Sequence, residues 1–212
     1  MTGKLRIALP KGRLFDQSIE LLSRAGIRIA DESSASRRLR FLDEEGKYEF
    51  IQLKPIDIPV YLESGAIDAG IAGSDVLREL ESDVYEPLDL QIGKCKLSLA
   101  APDGIVLSHE KHLSIATKYP RTADRFFKSR RAHVRIVRLE GSVEIAPALG
   151  LADAIVDLVE TGRTLRDNDL RIIEDIMPVS AKMIVNRTAM KTKARRINTL
   201  ISKLDAVIYE NT

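Results

Sequence analysis

Between Asp157 and Leu165 the chain reads Asp-Leu-Val-Glu-Thr-Gly-Arg-Thr-Leu. An acid is followed closely by a loop that carries two hydroxyls around a glycine. A tight turn at Gly162 presents backbone N–H groups, and the Thr161 and Thr164 hydroxyls add donors. A helix starting beyond the loop adds its positive end, and such an arrangement binds phosphate. An acid just before the loop, here Asp157, can take two sugar hydroxyls. The stretch reads as a ribose 5-phosphate cradle, with Arg163 and Leu165 completing the loop and Asp153 as a second candidate acid. A plain strand and turn with glycine at positive φ would use the same residues.

Such a loop needs an element that ends at it. Ala154–Val159 is an apolar run too short for periodicity to separate helix from strand. Gly150 closes a helix predicted over Ser142–Leu149. The run after it is therefore predicted as a buried strand, because anion loops sit between a strand end and a helix start.

A similar order opens the chain. Leu5–Leu9 is a predicted strand, Pro10-Lys11-Gly12-Arg13 a turn with two cations, and a helix follows with Leu14, Ile19, Leu21, Leu22 and Ala25 on its stripe before Gly26. Lys11 and Arg13 could neutralise phosphates, or could simply be solvated. Ser33–Arg40 is polar and basic, with Arg37 a candidate for phosphate contact. Further strands are predicted at Tyr48–Leu53, Ile67–Ala72, Leu88–Ile92, Cys95–Ala101, Leu113–Thr117, Val134–Leu139, Leu170–Met177 and Lys182–Asn186. Helices are predicted after Lys54 with Asp57 as cap, from Gly73-Ser74-Asp75 to Glu81, over Arg121–Arg130, and over Arg187–Ile208. Alternating strands and helices indicate an α/β fold.

Composition bounds the alternatives. The chain has 212 residues and net charge +2, which implies no strong nucleic-acid field. One cysteine, Cys95, allows no internal disulfide and fits a reducing compartment. No signal-peptide h-region or membrane-length apolar stretch is visible. His109, His112 and His133 share no ligand spacing, so no zinc site is expected.

The run Glu144-x5-Gly150-x-Ala152-x2-Ile155-x-Asp157-Leu158-x2-Thr161-Gly162-x-Thr164-Leu165 resembles the signature of the ATP phosphoribosyltransferases. P-K-G-R-L after the first strand resembles the family's opening. K-P-x-D-I-P-x-Y-L-E-S-G-A-I-D-A-G-I-A-G-S-D-V-L-R-E, from Lys54, resembles its second long signature, and I-A-T-K-Y-P before an aromatic helix is also similar. The resemblance implies two α/β domains joined by two crossings, similar to type II periplasmic binding proteins, with the active site in the interdomain cleft. The expected domains are residues 1–92 plus 187–212, and residues 93–186, the second holding the cradle. The implied reaction joins adenine N1 of ATP to 5-phosphoribosyl 1-pyrophosphate, releasing pyrophosphate.

In that reading the Thr161–Leu165 loop holds the 5-phosphate and Asp157 the ribose hydroxyls. Lys11, Gly12 and Arg13 face pyrophosphate or ATP phosphates, Arg37 and Lys54 are further contacts, and Asp68 and Gly73 line the cleft floor. Mg²⁺ is expected to ride on the substrate phosphates, with no protein metal ligand. The chain resembles the family's short form, which implies a regulatory subunit similar to histidyl-tRNA synthetase that would bind histidine. It also implies a homodimer within a larger cytoplasmic hetero-oligomer, with no nucleic acid or membrane partner. Two rival classes remain open at this point: a solute-binding module of periplasmic type, and a nucleobase-salvage phosphoribosyltransferase. The latter would be expected to carry paired acids before its loop, whereas Asp157 stands alone.

Overall fold

A computed structural model describes residues 3–30, 38–105 and 113–209. Its contacts divide the chain into two units: Met1–Leu77, Glu81–Gly93 and Ser180–Thr212 form one, and Arg78–Leu80 with Lys94–Val179 form the other.

The first unit is built on a six-stranded sheet of order β2-β3-β1-β4-β11-β5. Its strands are β1 (Leu5–Pro10), β2 (Arg40–Leu42), β3 (Tyr48–Leu53), β4 (Ala69–Gly73), β5 (Tyr85–Asp89) and β11 (Ala181–Val185). β1 pairs in parallel with β3 and β4, while β11 runs antiparallel between β4 and β5. Alternation along β1 sorts its side chains to two faces. Leu5, Ile7 and Leu9 join one core with α1 (Arg13–Arg24) and α7 (Ala194–Tyr209), which contributes Ile197, Leu200, Leu204 and Val207. Ala8 joins another core with Ile58 and Leu62 of α2 (Ile58–Glu63) and Leu77 of α3 (Ser74–Leu80). Each fully buried leucine contributes about 1.5–3 kcal/mol, so the double-sided burial fixes β1 as the unit's centre.

The second unit has a five-stranded sheet of order β10-β6-β9-β7-β8. Its strands are β6 (Cys95–Pro102), β7 (Leu113–Thr117), β8 (Val134–Arg138), β9 (Ala154–Val159) and β10 (Leu170–Val179). β7, β8 and β9 are mutually parallel, and β6 and β10 are antiparallel to their neighbours. Ala154 and Val156 of β9 face Phe126 and Phe127 of α4 (Pro120–Ser129). Ile155 and Val159 face the other core, with Leu165 and Leu170. The ambiguous apolar run is thus a strand buried on both faces.

Three expectations are corrected and one is refined. The return crossing falls at residue 180, not 187, because β11 completes the first sheet. The helix expected over 142–149 is a 3₁₀ turn, Val143–Ile145, followed by turns to Gly150; Pro147 has no N–H to continue a helical ladder. The C-terminal helix is split into α6 (Arg187–Thr192) and α7 at Lys193, whose ammonium is held by Asp68 at 2.7 and 2.8 Å. Asn186 caps α6 by accepting the Ala189 N–H at 2.8 Å. Finally, Asp57 holds the N-cap position of α2 as expected, but it ends a 3₁₀ turn, Pro55–Asp57, and its side chain makes no capping bond.

Candidate functional site

Parallel strands bring the loops that follow them to one edge. In the first unit that edge carries Lys11-Gly12-Arg13 after β1, Lys54 after β3 and Gly73 at the end of β4. The Lys11 N–H donates to the Leu53 carbonyl at 2.8 Å, which places the β1 turn beside Lys54. Gly12 sits at φ 85°, a backbone that side chains rarely adopt, and its carbonyl accepts the Phe15 N–H as α1 begins. Lys11, Arg13 and Lys54 are exposed at this edge. At Gly73 the constraint is space: a β-carbon there would lie 2.1 Å from Asp75 Oδ1. Arg37 lies outside the described residues.

Asp68 does not join them. It precedes β4, so five residues of strand, roughly 16 Å at ~3.3 Å per residue, separate it from Gly73. Its carboxylate accepts from the Arg6 N–H at 2.9 Å and from Lys193, and is 5% exposed. It ties β1, β4 and the α6–α7 break together. Lys193 is its ion-pair partner.

In the second unit, the loops after β7 and β9 share an edge. The Asp157 carboxylate accepts the Leu158 N–H at 2.8 Å and lies 3.3 Å from Lys118 Nζ. Gly162 takes φ 70° and leads into α5 (Arg163–Asp167), whose ladder begins with Arg166 N–H to Gly162 O. The helix's own bonding therefore does not use the preceding N–H groups, of which Arg163's reaches Thr161 Oγ1 at 3.4 Å. Thr161 and Thr164 are exposed, as a ligand would need. Leu165 is buried and anchors the loop against Val159 and Leu170, so its side chain is structural and only its backbone can face a ligand. The Arg163 side chain pairs with Asp167 at 3.6 Å.

The sequence reading missed several neighbours of this loop. Arg166 Nη1 donates to the Thr161 carbonyl at 3.2 Å and braces the turn. A cavity beside the loop, about 420 Å³, is bordered by Thr161, Gly162, Arg166, Lys96, Ser98 and Asp175. Asp175 accepts from Lys96 and from Ser98 Oγ, and the Lys96 ammonium first, then the Ser98 hydroxyl, hold its carboxyl below the usual carboxylate range. Ser98 stands opposite Asp157 in the β6–β9 register. Nothing in one sequence announces that register. Lys118 sat within a stretch similar to the family but had no assigned role.

Asp153 belongs elsewhere. It lies at the amino end of β9, roughly 13 Å along the strand from Asp157 at ~3.3 Å per residue. Its carboxylate accepts the Ser114 N–H and the Ser114 hydroxyl, both at 2.7 Å. Those two bonds, the backbone one first, hold its pKa below the ordinary 3.8. A lowered folded-state pKa contributes stability that is present above the unfolded value and is lost as pH falls through the folded one. Asp153→Asn should therefore cost about 1–2 kcal/mol at pH 7. The gap from the parent protein should shrink below about pH 4. Urea midpoints across pH check this, and a gap that grows on acidification would refute it.

Among the described residues, no group of three or more His, Cys, Asp or Glu gathers to hold a metal, and no helix is long and apolar enough to cross a membrane.

Two α/β units, each with a mixed sheet and with cationic or hydroxyl-bearing loops at strand carboxyl edges, make a fold similar to that of periplasmic binding proteins. The periplasmic aliphatic sulphonate binding protein SsuA from Escherichia coli superposes with TM-score 0.61 at 13% identity, over 96% of this chain and 72% of that one, a likeness of fold alone. The family model HisG: ATP phosphoribosyltransferase matches residues 54–206. The ATP phosphoribosyltransferase of Oceanobacillus iheyensis is 48% identical over 202 residues, 95% of this chain and 97% of the relative. That of Caldanaerobacter subterraneus subsp. tengcongensis is 46% identical over 95% and 96%. An ATP phosphoribosyl transferase (HisG:HisZ) complex from Thermotoga maritima contains a chain with TM-score 0.83 at 36% identity, covering 97% of this chain and 99% of that one.

The chain belongs to the ATP phosphoribosyltransferase family, the transferases that open histidine biosynthesis. Membership sets aside the solute-binding and nucleobase-salvage readings.

Proposed function

We propose that the two carboxyl edges divide the substrates of this reaction between them. The second unit's loop takes phosphoribosyl pyrophosphate. Its N–H groups and the Thr161 and Thr164 hydroxyls surround the 5-phosphate, while Asp157 accepts from the ribose 2- and 3-hydroxyls. The supporting observation is the placement of Asp157 and Gly162 at one strand end, with Arg166 bracing the turn. The first unit's Lys11, Gly12, Arg13 and Lys54 face the triphosphate of ATP or the departing pyrophosphate.

Adenine N1 then displaces pyrophosphate at ribose C1: the C1–N1 bond forms as the C1–O bond breaks, and the electron pair leaves with pyrophosphate. Negative charge grows on the leaving group, so fixed cations and dipoles lower the barrier more than any covalent step would. Mg²⁺, when bound, supplies charge neutralisation on the pyrophosphate. It is placed here as a companion of the substrate phosphates, because Mg²⁺ dehydrates reluctantly and keeps its waters. The reading includes a cytoplasmic enzyme and a regulatory subunit resembling histidyl-tRNA synthetase; the Thermotoga maritima relative is a HisG:HisZ complex, which supports a partner subunit.

The test is a steady-state assay with ATP, phosphoribosyl pyrophosphate and Mg²⁺, following the N1 adduct by absorbance. Arg13→Ala should lower kcat/KM at least tenfold, about 1.4 kcal/mol of barrier. A fully active Arg13→Ala protein would return that turn to a solvated role.

A further inference from the structure

The strongest feature outside the proposed site is a cavity of about 540 Å³ in the first unit, within the usual range for small-ligand sites of ~300–1,000 Å³. It lies at the amino ends of β1 and β3, where Leu5 and Tyr48 are register partners and the Leu5 N–H donates to the Lys47 carbonyl. Lys11 and Lys54 stand at the opposite ends of the same two strands. Lys4, Lys47, Arg195 and Arg196 border the cavity, and among the described residues none lining it is acidic.

Two of these cations are partly committed. Arg196 donates to the Gly3 carbonyl, and Lys47 pairs with Glu45, both of that pair being more than half exposed. Tyr48 adds an independent observation. It is 7% exposed, its ring packs beside Phe50, and it lines the cavity. Burial raises the Tyr48 pKa, which keeps the phenol a donor at neutral pH.

We infer that this cavity is a second anion site, distinct from the catalytic edges, for a phosphorylated small molecule of nucleotide size or less. A phosphate matches the site's donors: a guanidinium fork from Arg195, ammonium groups from Lys4 and Lys47, and a neutral phenol. Phosphate oxygens accept from all of them. The concave, single-sign lining also favours an anion that carries more than one charge.

The test uses inorganic pyrophosphate as probe and the backbone amide spectrum of the full chain as readout. Titration should move the amides of Gly46, Lys47 and Thr199 along a saturable curve, separately from those of Thr161–Leu165. Lys4→Glu with Arg195→Glu should weaken the first response at least tenfold and leave the second intact. Should that double variant misfold, Arg195→Gln serves the same comparison. A linear or absent response at Gly46 and Thr199 overturns the proposal, as does one that persists unchanged in the variant. Saturation by an acidic peptide but not by pyrophosphate would overturn it as well, since the site would then belong to a protein partner. Loss of the Thr161–Leu165 response alone would count against the catalytic reading and not against this one.

Discussion

Asp157→Ala should lower kcat/KM for phosphoribosyl pyrophosphate by about 10- to 150-fold, while the Michaelis constant for ATP stays within about twofold. The size follows from losing hydrogen bonds between a charged carboxylate and the sugar, on the order of 1.5–3 kcal/mol, at about 1.36 kcal/mol per decade of rate. The protein should remain folded. Asp157's ion-pair partner, Lys118, has a side chain 37% exposed and can turn to water, and exposed pairs contribute about 0–1 kcal/mol. The discriminating measurement is the pair of Michaelis constants. If both change equally, or neither does, Asp157 is not the ribose acceptor.

The second large effect is on stability. Phe50 in β3 is fully buried, with its ring stacked on Phe41 at 5.5 Å. Phe41 meets Phe15 of α1 edge-on at 6.1 Å. Phe50→Ala would empty the space between sheet and helix, at a cost of about 3–5 kcal/mol. Folded proteins have only about 5–15 kcal/mol in total. The chain has no tryptophan, so the urea transition should be followed by circular dichroism. Phe50→Leu, which keeps most of the volume, should cost clearly less. A loss under about 1 kcal/mol in Phe50→Ala would mean that the aromatic contacts of β2, β3 and α1 are dispensable.

The legible features were those set by local chemistry. Gly12 and Gly162 mark turns that need positive φ, and the structure has φ 85° and 70° there. The alternation that buries Ala154–Val159 on two faces was readable as a short apolar run between Gly150 and the threonines. What could not be read was pairing across distance. Asp153, Asp157, Asp68 and Gly73 all resembled site residues. Yet Asp153 and Asp68 precede their strands while Asp157 and Gly73 lie near the strands' far ends, and only strand direction separates the two groups. Lys193 looked like any exposed helical lysine, because its partner Asp68 is 125 residues away in sequence. The break between α6 and α7 was hidden for the same reason: the 187–208 stripe continues through it, and the ion pair that accompanies the break is tertiary. Likewise, β11 could be recognised as a strand, but its insertion between β4 and β5 moved the boundary that the sequence suggested.

That insertion has a consequence during synthesis. β5 hydrogen-bonds to no strand but β11 among the described residues, and β4 has β11 as its outer neighbour. β5 is made roughly 90 residues and β4 roughly 110 residues before β11, an interval of about 5–20 s at ~5–20 residues per second. The nascent chain carries the apolar run Ala69–Gly73 with one backbone edge open for that time. Unpaired edges invite pairing with other chains. Lys94–Val179 forms a continuous segment with its own sheet and can close first. The first unit's sheet cannot close until β11 is made, after the whole of that segment has been synthesised.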